Sequence, residues 1–330
     1  MTEMKRYDCL VVDMVNFCYR TFKPKTDKTM MTSSHGAIYQ NSIHQAINSL
    51  DDLCKTYLKS QDGNVYLLFD NYFSRADFQS TFLYADRKDL SKAYKANRKK
   101  ESKEFYQSIN FLRYYYLVGP SNFYTAQITN LEADDLVKPL IKTKCQDQDT
   151  LLITTDLDWT RYLSDRIDWL PDLSKSPQSL EALSEKLGFP VSEKSVILYK
   201  AIFGDKSDGI EALAPENSEN RKQFLELLDQ IEVPEDLFVL YRNNEIKDKY
   251  PLISEIMDIG YKKYGHEGRF GINLQLVSAM PCANSVLEKK LIKGRNAELL
   301  FDSIRKAIGL SEHKSKFVFG NLTVKKEQAQ

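Results

Sequence analysis

The sequence lacks the features that mark a membrane or secreted protein. None of its 330 residues lies in a run that approaches the roughly 20 apolar residues of a membrane-spanning helix. The N-terminal MTEMKRYDCLVVD does not have the layout of a signal peptide. Its five cysteines are scattered, without the CxxC or Cys/His spacing of a zinc site or a disulfide framework. We therefore expect a cytoplasmic protein with no membrane contact and with reduced, structural cysteines.

Most local patterns that identify an enzyme class are also missing. The sequence contains no P-loop, no GxGxxG and no Ser/His/Asp signature, and its four histidines are isolated from one another. Formal net charge is zero, because 46 basic residues balance 46 acidic ones. The total does not predict a basic surface for nucleic acid, but charges segregate along the chain, and a balanced sum hides local patches.

Three short apolar runs predict buried strands. YDCLVV begins at Tyr7, NVYLLF at Asn64 and TLLIT at Thr150, and an Asp closely follows each run. Continuous apolar runs of this length, separated by long helical segments, are typical of parallel strands covered on both faces. YYYLVG from Tyr114 and RIDWL from Arg166 are weaker strand candidates. The pattern predicts an α/β fold whose parallel, mixed-edge sheet is flanked by helices.

Helices are predicted between these strands and throughout the C-terminal third. The segments between strands cover residues 38–59, 77–111 and 132–145, with a kink at Pro139. Strand signals fade after about residue 204, and helical patterns replace them. The predicted divisions are an α/β domain at 1–205, a helical region at 206–310 and a tail at 311–330.

Carboxylates occupy positions that a parallel sheet would bring together. Asp13, Asp70 and Asp156 follow three separate strands, and open parallel sheets bind ligands beyond the carboxyl ends of their strands. The helix start LEADD and the Gly-flanked loop GDKSDG add further acids. The candidate metal ligands are Asp13, Asp70, Glu132, Asp134, Asp135, Asp156, Asp158, Asp205 and Asp208.

Such a cluster needs cations. Two carboxylates a few Å apart repel by about 4 kcal/mol at an effective dielectric of about 20. Oxygen ligands without His or Cys select Mg²⁺ or Mn²⁺ over zinc, and two such ions about 3.5–4 Å apart can promote in-line phosphoryl displacement. Each acid taken alone is better explained as a turn residue or a helix cap. Their joint placement at three strand ends indicates phosphodiester hydrolysis.

A basic stripe lies within the predicted helix at 77–111. Lys88, Lys92, Lys95, Lys99 and Lys103 recur at steps of four, three, four and four, which places them on one helix face. Aromatic residues, among them Tyr94, are interleaved with them. The combination indicates a surface for unpaired nucleic acid. The alternative is an ordinary solvated helix face, because acidic residues are mixed in.

Six motifs occur in a recognisable order: VVDMVNFCYR, LLFD, YKANR, LEADD, TTDLDWTRYLSD and GDKSDGI, spanning about residues 7–210. Together they resemble the 5′-nuclease family, which includes bacteriophage flap endonucleases and ribonuclease H and the 5′-nuclease domain of bacterial DNA polymerase I. The resemblance implies a PIN-like catalytic domain with a helical arch at about 77–111. It also implies a site for two Mg²⁺ ions, with Mn²⁺ as a substitute.

The resemblance further implies a role for each matching residue. Asp13, Asp70, Glu132 and Asp134 would hold the first ion, with Asp135 close by. Asp156, Asp158 and Asp208 would hold the second ion, with Asp205 near it. Arg20, Lys95 and Arg98 would contact the scissile phosphate as catalytic residues, and Tyr94 would stack or pack beside them.

One segment departs from the family pattern. Members usually continue after GDKSDGI with a Gly-x-Gly hairpin and a Lys that grip duplex phosphates, whereas this chain reads EALAPENSENRKQFLELL. A backbone nest for phosphate needs φ values that Gly supplies most easily. Asn217, Asn220, Arg221 and Lys222 are partial substitutes. We therefore expect a degenerate helix-hairpin-helix element in the C-terminal region, with weaker grip on duplex.

We predict a divalent-metal-dependent 5′–3′ exonuclease and structure-specific 5′ flap endonuclease. The resemblance implies a DNA or RNA–DNA hybrid substrate with a 5′ end or flap, and removal of RNA primers in bacteriophage-type DNA replication or repair. A monomer is expected, with a single-strand-binding protein or another replication protein as partner. The alternatives are a PIN-type ribonuclease on free RNA, which usually lacks the long arch segment and the GDKSDG loop, and a non-catalytic junction-binding protein, which would be expected to have lost several acids. The sequence does not decide whether RNA or DNA strands are preferred. It also does not decide whether exonucleolytic or endonucleolytic cutting dominates.

Overall fold

A six-stranded sheet forms the centre of the fold. The computed structural model describes residues 4–22, 29–33, 36–70, 91, 95, 101–129, 131–258 and 268–310. The strands of the sheet are β1 Cys9–Asp13, β4 Asn64–Leu68, β5 Phe123–Ala126, β6 Thr150–Ile153, β7 Ile167–Leu170 and β8 Ile292–Lys293. Their order is β7-β6-β1-β4-β5-β8, and all pairs are parallel except β8 with β5. A separate antiparallel pair consists of β2 Met30–Ser33 and β3 Gly36–Tyr39.

Helices cover both faces of the sheet and make up most of the chain after β7. Those in the first half are α1 Met14–Thr21, α2 Gln40–Tyr57, α3 Lys103–Val118 and α4 Ala133–Leu140. Those that follow are α5 Leu180–Leu187, α6 Glu193–Phe203, α7 Ser218–Leu228, α8 Leu237–Tyr241, α9 Asn244–Lys249, α10 Pro251–Asp258, α11 Gly268–Val277, α12 Asn284–Lys290 and α13 Glu298–Ala307. Two 3₁₀ helices lie at Leu157–Tyr162 and Pro234–Asp236, and a π-helical turn at Ile141–Cys145.

The predicted α/β fold with a parallel, mixed-edge sheet is confirmed. The three strong strand predictions correspond to β1, β4 and β6, and the weaker RIDWL run forms β7. The YYYLVG prediction was wrong, because these residues end α3. Ser102 caps that helix by accepting the Phe105 N–H, and burial follows helical spacing through Phe105, Ile109, Leu112 and Tyr116. Aromatic and β-branched composition favours a strand, but the cap and the periodicity of the longer segment decide for helix.

The strands are buried on both faces, which explains their continuous apolar sequences. In β1, Cys9 and Val11 pack in one core with residues of α4 and α6. Leu10 and Val12 pack in a second core with residues of α1, α2 and α3. Successive side chains of a strand point to opposite faces, so β1 contributes equally to both layers.

Pro139 lies inside α4, where a kink was predicted. Regular α-helical hydrogen bonding ends one residue later at Leu140, and the wider π-helical turn follows. Proline has no N–H to donate and crowds the preceding turn, which accounts for the change of helix type. Cys145 ends the π turn and lies with its Sγ 3.6 Å from that of Cys9. All five cysteines are free thiols, as predicted.

The topology creates a crevice beside β1. From β1 the chain builds the sheet outward in one direction through β4 and β5, then returns to the other side of β1 with β6 and β7. Ligands of open α/β sheets bind at such a switch point, beyond the carboxyl ends of the strands. The crevice therefore lies where Asp13 ends β1 and Asp156 follows β6.

The C-terminal segment returns to the edge of the sheet. After α12 packs against α4, β8 pairs with β5 at the sheet edge, and α13 packs on α3. Phe301 of α13 contacts Tyr115 with ring centroids 4.6 Å apart, and Arg305 donates to the Tyr115 hydroxyl at 2.6 Å. In the described part of the chain, no helix has the length and apolar character needed to cross a membrane. The tail predicted at 311–330 lies outside the described residues.

Candidate metal centre

Asp13 occupies the centre of the crevice. It is the last residue of β1 and caps α1, since its Oδ1 accepts the N–H of Asn16 at 2.9 Å. Its Oδ2 accepts the hydroxyl of Thr154, just after β6, at 3.2 Å. Burial and the neighbouring charge of Asp70 raise the pKa of Asp13 to about 7. This carboxylate is therefore costly to ionise unless a cation lies beside it.

The start of α4 adds acids from a distant part of the sequence. Asp70, just beyond β4, accepts the N–H of Ala133 at 2.7 Å, which ties the end of β4 to the helix start. Asp134 accepts the indole N–H of Trp159 at 2.5 Å. Burial and then Asp156 raise the pKa of Asp134 well above its usual range. Asp70 and Asp134 thus lie at the same edge as Asp13.

The turn after β6 supplies the next two acids. Asp156 caps the 3₁₀ helix Leu157–Tyr162 by accepting the N–H of Asp158 at 2.9 Å. Burial and the charge of Asp158 raise the pKa of Asp156 to about 6. The short turn directs both carboxylates toward Asp134, and oxygens of the three residues lie within 4.8 Å of one another.

These residues enclose a polar cavity of about 310 Å³. Its lining consists of Asp13, Val15, Asn16, Tyr19, Asp70, Lys95, Glu101, Glu132, Asp134 and Asp156. The carboxylates offer only oxygen ligands, and burial disfavours their charge in the absence of a cation. Both properties fit hard divalent ions such as Mg²⁺ or Mn²⁺. The cluster could therefore hold divalent metal.

Lys200 neutralises the second group of acids, and sequence reasoning missed it. It extends from α6, where its Nζ lies 2.7 Å from Asp158, 2.8 Å from Asp205 and 3.9 Å from Asp156. Burial opposes the charge on Lys200, but these acids outweigh it and raise the pKa of Lys200. Conversely, burial opposes ionisation of Asp205, yet Lys200 lowers the pKa of Asp205 to about 2. A single lysine in the apolar run SVILYKAIF is the signal that could have identified it.

Two predicted ligands have structural contacts. Asp135 accepts the N–H of Glu132 at 2.9 Å and that of Met280 at 2.6 Å, so it closes the capping box of α4 and anchors the chain after α11. Asp208 is buried, its backbone carbonyl accepts the N–H of Lys95 at 2.7 Å, and its charge acts on Asp156. Asp135 and Asp208 therefore support the cluster from outside the cavity lining.

The two described basic candidates, Lys95 and Arg20, contact different segments of the chain. Lys95 forms an ion pair with Glu132, with Nζ 2.8 and 2.7 Å from the two carboxylate oxygens. Its backbone has φ +49°, a left-handed conformation uncommon outside glycine, and the contacts to Glu132 and Asp208 hold it. Arg20 donates from Nη1 to the carbonyl of Pro171 at 3.1 Å. Its buried Nε and Nη2 have no hydrogen-bond partner among the described residues.

The remaining arch candidates are only partly described. Lys88, Lys92, Tyr94, Arg98 and Lys99 lie outside the described residues. Lys103 is exposed at the first position of α3. Asn16, Tyr19 and Glu101 line the cavity but were not predicted, because nothing in their local sequence distinguishes them from ordinary helix or loop residues.

The segment without glycine that follows GDKSDGI begins at Glu211 and leads into α7. Asn217 caps α7 by accepting the N–H of Asn220 at 2.8 Å, and the Asn220 amide donates to the carbonyl of Pro215 at 2.9 Å. Arg221 is paired with Glu216 and also donates to the carbonyl of Leu187. Three of the partial substitutes named from the sequence thus have structural contacts within the protein.

Comparison with known proteins identifies the family. A sequence model described as the 5′-3′ exonuclease, N-terminal resolvase-like domain matches residues 8–188, more than half of the chain. The chain belongs to the 5′–3′ exonuclease family. The nuclease prediction is thereby confirmed, and the protein is a phosphodiester hydrolase. No curated protein sequence matches it significantly.

Solved structures of bacteriophage T5 proteins share the fold. One protein co-crystallised with metal ions has 18% identity and a TM-score of 0.57, covering 91% of this chain and 97% of its own. The T5 5′-exonuclease with bound zinc has 19% identity and a TM-score of 0.55, with the same coverage. A T5 flap endonuclease variant in a pseudo-enzyme–product complex with DNA and metal ions has 18% identity and a TM-score of 0.56, again with this coverage. The likeness confirms the predicted PIN-like 5′-nuclease fold, while the domain boundaries and individual site residues stay predictions.

Proposed function

We propose that this nuclease is a divalent-metal-dependent 5′–3′ exonuclease and 5′ flap endonuclease that uses two Mg²⁺ ions. One observation carries the proposal: acids from four separate segments converge on one cavity, through Asp13, Asp70, Asp134 and Asp156. Three of these groups have pKa values raised first of all by burial. A site that concentrates desolvated carboxylates in this way stabilises bound cations.

The chain's own residues divide between metal binding and substrate binding. Bound Mg²⁺ would supply activation of water and charge stabilisation at the leaving oxygen. Asp13, Asp70, Glu132 and Asp134 would hold one ion, and Asp156, Asp158 and Asp208 the other. Arg20 has two buried guanidinium nitrogens without a hydrogen-bond partner among the described residues; they would bind a phosphate oxygen through paired N–H groups once the side chain turns toward the cavity. Lys95, now paired with Glu132, would bind the same phosphate with its ammonium group when Glu132 serves as a metal ligand.

The proposed substrate is a DNA or RNA–DNA hybrid strand with a free 5′ end or flap. A similar T5 structure is a complex with DNA and metal ions, and the exposed ring of Tyr19 beside the cavity suits stacking on an unpaired base. Removal of RNA primers or flaps during bacteriophage-type replication is the proposed role, with a single-strand-binding or other replication protein as the proposed partner.

Cleavage of defined substrates tests the proposal. A 5′-labelled flap, a nicked duplex and an RNA–DNA hybrid are incubated with the full chain in Mg²⁺, in Mn²⁺ or in EDTA. We expect cleavage with either ion and none in EDTA. Asp156→Asn should lower the rate by at least about 100-fold, the scale on which removal of electrostatic stabilisation acts. The products also report RNA against DNA preference and the position of the cut.

The matched control is Asp229→Asn, which removes an exposed carboxylate at the end of α7. It should cleave like the wild type. Equal cleavage by Asp156→Asn, or no cleavage by the wild type with either ion, would refute the proposed metal chemistry. Cleavage of free single-stranded RNA alone would instead support a PIN-type ribonuclease.

A further inference from the structure

Trp159 makes an unusual contact for a core residue. Its side chain is 0% exposed and packs within the core between α4 and α6. A buried indole N–H needs an acceptor, and here the acceptor is Oδ1 of Asp134 at 2.5 Å. A hydrogen bond to a charged acceptor is among the stronger ones in proteins. The contact thus joins a core side chain directly to a carboxylate of the candidate metal centre.

The contact also joins two segments that are distant in sequence. Trp159 belongs to the 3₁₀ helix that presents Asp156 and Asp158, and its backbone N–H donates to the Asp156 carbonyl at 3.4 Å. Asp134 belongs to the first turn of α4. The turn that carries two acids of the cluster therefore also holds the third. Carboxylate oxygens of Asp134, Asp156 and Asp158 lie within 4.8 Å of one another. At this spacing their charges repel in the absence of a cation.

The second tryptophan provides an internal comparison. Trp169 is also buried, and its indole N–H donates to the backbone carbonyl of Thr154 at 2.7 Å. It lies on β7, under the same edge of the sheet, but its indole N–H bonds a peptide carbonyl and not a carboxylate. The chain has only these two tryptophans, so each can be observed alone after substitution of the other.

We propose that Trp159 is a positioning residue that fixes Asp134 for divalent-ion binding. By holding one carboxylate oxygen, the indole restricts rotation of Asp134 and keeps its carboxyl group at the distance from Asp156 and Asp158 that the 3₁₀ helix sets. Partners that orient metal ligands in this way typically account for 10–100-fold in metal affinity. The inference rests on the proposed metal-dependent function, and it concerns ion binding rather than cleavage.

The test measures Mn²⁺ binding to the full chain without nucleic acid, by calorimetry and by electron paramagnetic resonance. Trp159→Phe removes the N–H and keeps most of the ring, while Trp169→Phe is the matched control. We expect Trp159→Phe to weaken Mn²⁺ binding by about 10–100-fold and Trp169→Phe to leave it unchanged. Equal affinity of the two folded variants would overturn the proposal.

Tryptophan fluorescence gives a second readout that does not depend on the Trp159→Phe variant. In Trp169→Phe, all tryptophan emission comes from Trp159, and Mn²⁺ should change it with the midpoint found by calorimetry. Adding Asp134→Asn to that variant should shift the emission before any metal is added, since an amide replaces the carboxyl group that contacts the indole N–H. Unchanged emission in both experiments would overturn the proposal even if Trp159→Phe fails to fold.

The two levels of inference fail separately. Absence of Mn²⁺ binding by the wild type would refute the proposed metal-dependent function. Mn²⁺ binding and cleavage by the wild type, together with unaltered Mn²⁺ affinity in Trp159→Phe, would refute only the role of Trp159.

Discussion

The ammonium group of Lys200 lies 2.7 Å from the carboxylate of Asp158, deep beneath the acidic edge of the sheet. It also contacts Asp205, so one buried cation pairs with two acids, one in the 3₁₀ helix after β6 and one in the loop after α6. Among the described residues, no basic side chain forms an ion pair with the cavity acids Asp13 and Asp134; burial raises the pKa values of both, and the charge of Lys95 offsets this only in part at Asp134. The acidic cluster therefore consists of a part neutralised within the protein and a part that depends on added cations.

Replacing Lys200 should destabilise the protein strongly. Lys200→Met keeps the length of the side chain but removes the cation beside Asp205 and one of the two beside Asp158, whose other cation is Arg161 at 3.4 Å. Breaking a buried ion pair from one side costs about 3–5 kcal/mol. We expect the free energy of unfolding in EDTA, measured by urea denaturation, to fall by about that amount. The control Lys206→Met removes an exposed lysine from the loop that carries Asp205. It should change the free energy of unfolding by less than about 0.5 kcal/mol. A similar unfolding midpoint for both variants would contradict the importance of this pair.

Stability without metal should decrease as pH rises through neutrality. The pKa values of Asp13 and Asp156 are raised to about 7 and about 6, in both cases chiefly by burial. An unfolded carboxyl titrates near pH 4, so the folded state binds these protons more tightly. Their stabilising contribution is complete below about pH 4 and is lost as pH rises through 6 and 7, at up to about 1.4 kcal/mol per pH unit for each group.

Urea denaturation between about pH 5 and pH 8 checks this behaviour. In EDTA the free energy of unfolding should decline over that range, whereas saturating Mg²⁺ should remove the decline because the ion binds the ionised carboxylates. Asp13→Asn should show a flatter profile in EDTA than the wild type. A free energy of unfolding that rises with pH in EDTA would show that other groups dominate.

Tyr19 should contribute to binding of single-stranded substrate. Its ring is 46% exposed, lines the cavity and packs against Phe105 with centroids 4.8 Å apart. Stacking of one base on an aromatic ring is worth about 1–3 kcal/mol. Tyr19→Ala should therefore weaken binding of a 5′-phosphorylated oligonucleotide by about 5–150-fold in fluorescence anisotropy. Tyr19→Phe retains the ring and should bind like the wild type; an equal loss in both variants would assign the effect to the hydroxyl.

The connection between α6 and α7 should bind duplex phosphates poorly. Glu211 and Glu216 of this connection and Glu219 in the first turn of α7 are exposed, and Arg221 of α7 is paired with Glu216. Duplex affinity should therefore depend only weakly on salt, because few counterions are released. Glu219→Lys should steepen the slope of log K against log salt by about one. Glu226→Lys makes the same change further along α7 and should leave this slope unchanged. Equal slopes in both variants would mean that the start of α7 does not approach the duplex.

The sequence by itself determined the main architecture and the location of the acids. Continuous apolar runs predicted the parallel strands because a strand covered on both faces must be apolar along its whole length. The topology rule then located Asp13, Asp70 and Asp156 at one edge, since carboxyl ends of parallel strands coincide. Local composition failed at Tyr114, where the helical periodicity of a longer segment outweighed a strand-like run.

Only the tertiary structure decided how each acid is used. Asp135 belongs to the same motif as Asp134, yet it caps α4 and anchors Met280, while Asp134 accepts a hydrogen bond from Trp159. Lys200 is a charged residue in an apolar helix until folding places it against Asp158 and Asp205. These assignments depend on side-chain directions and on contacts between segments far apart in the chain, and the pattern of residue types along one segment does not encode them.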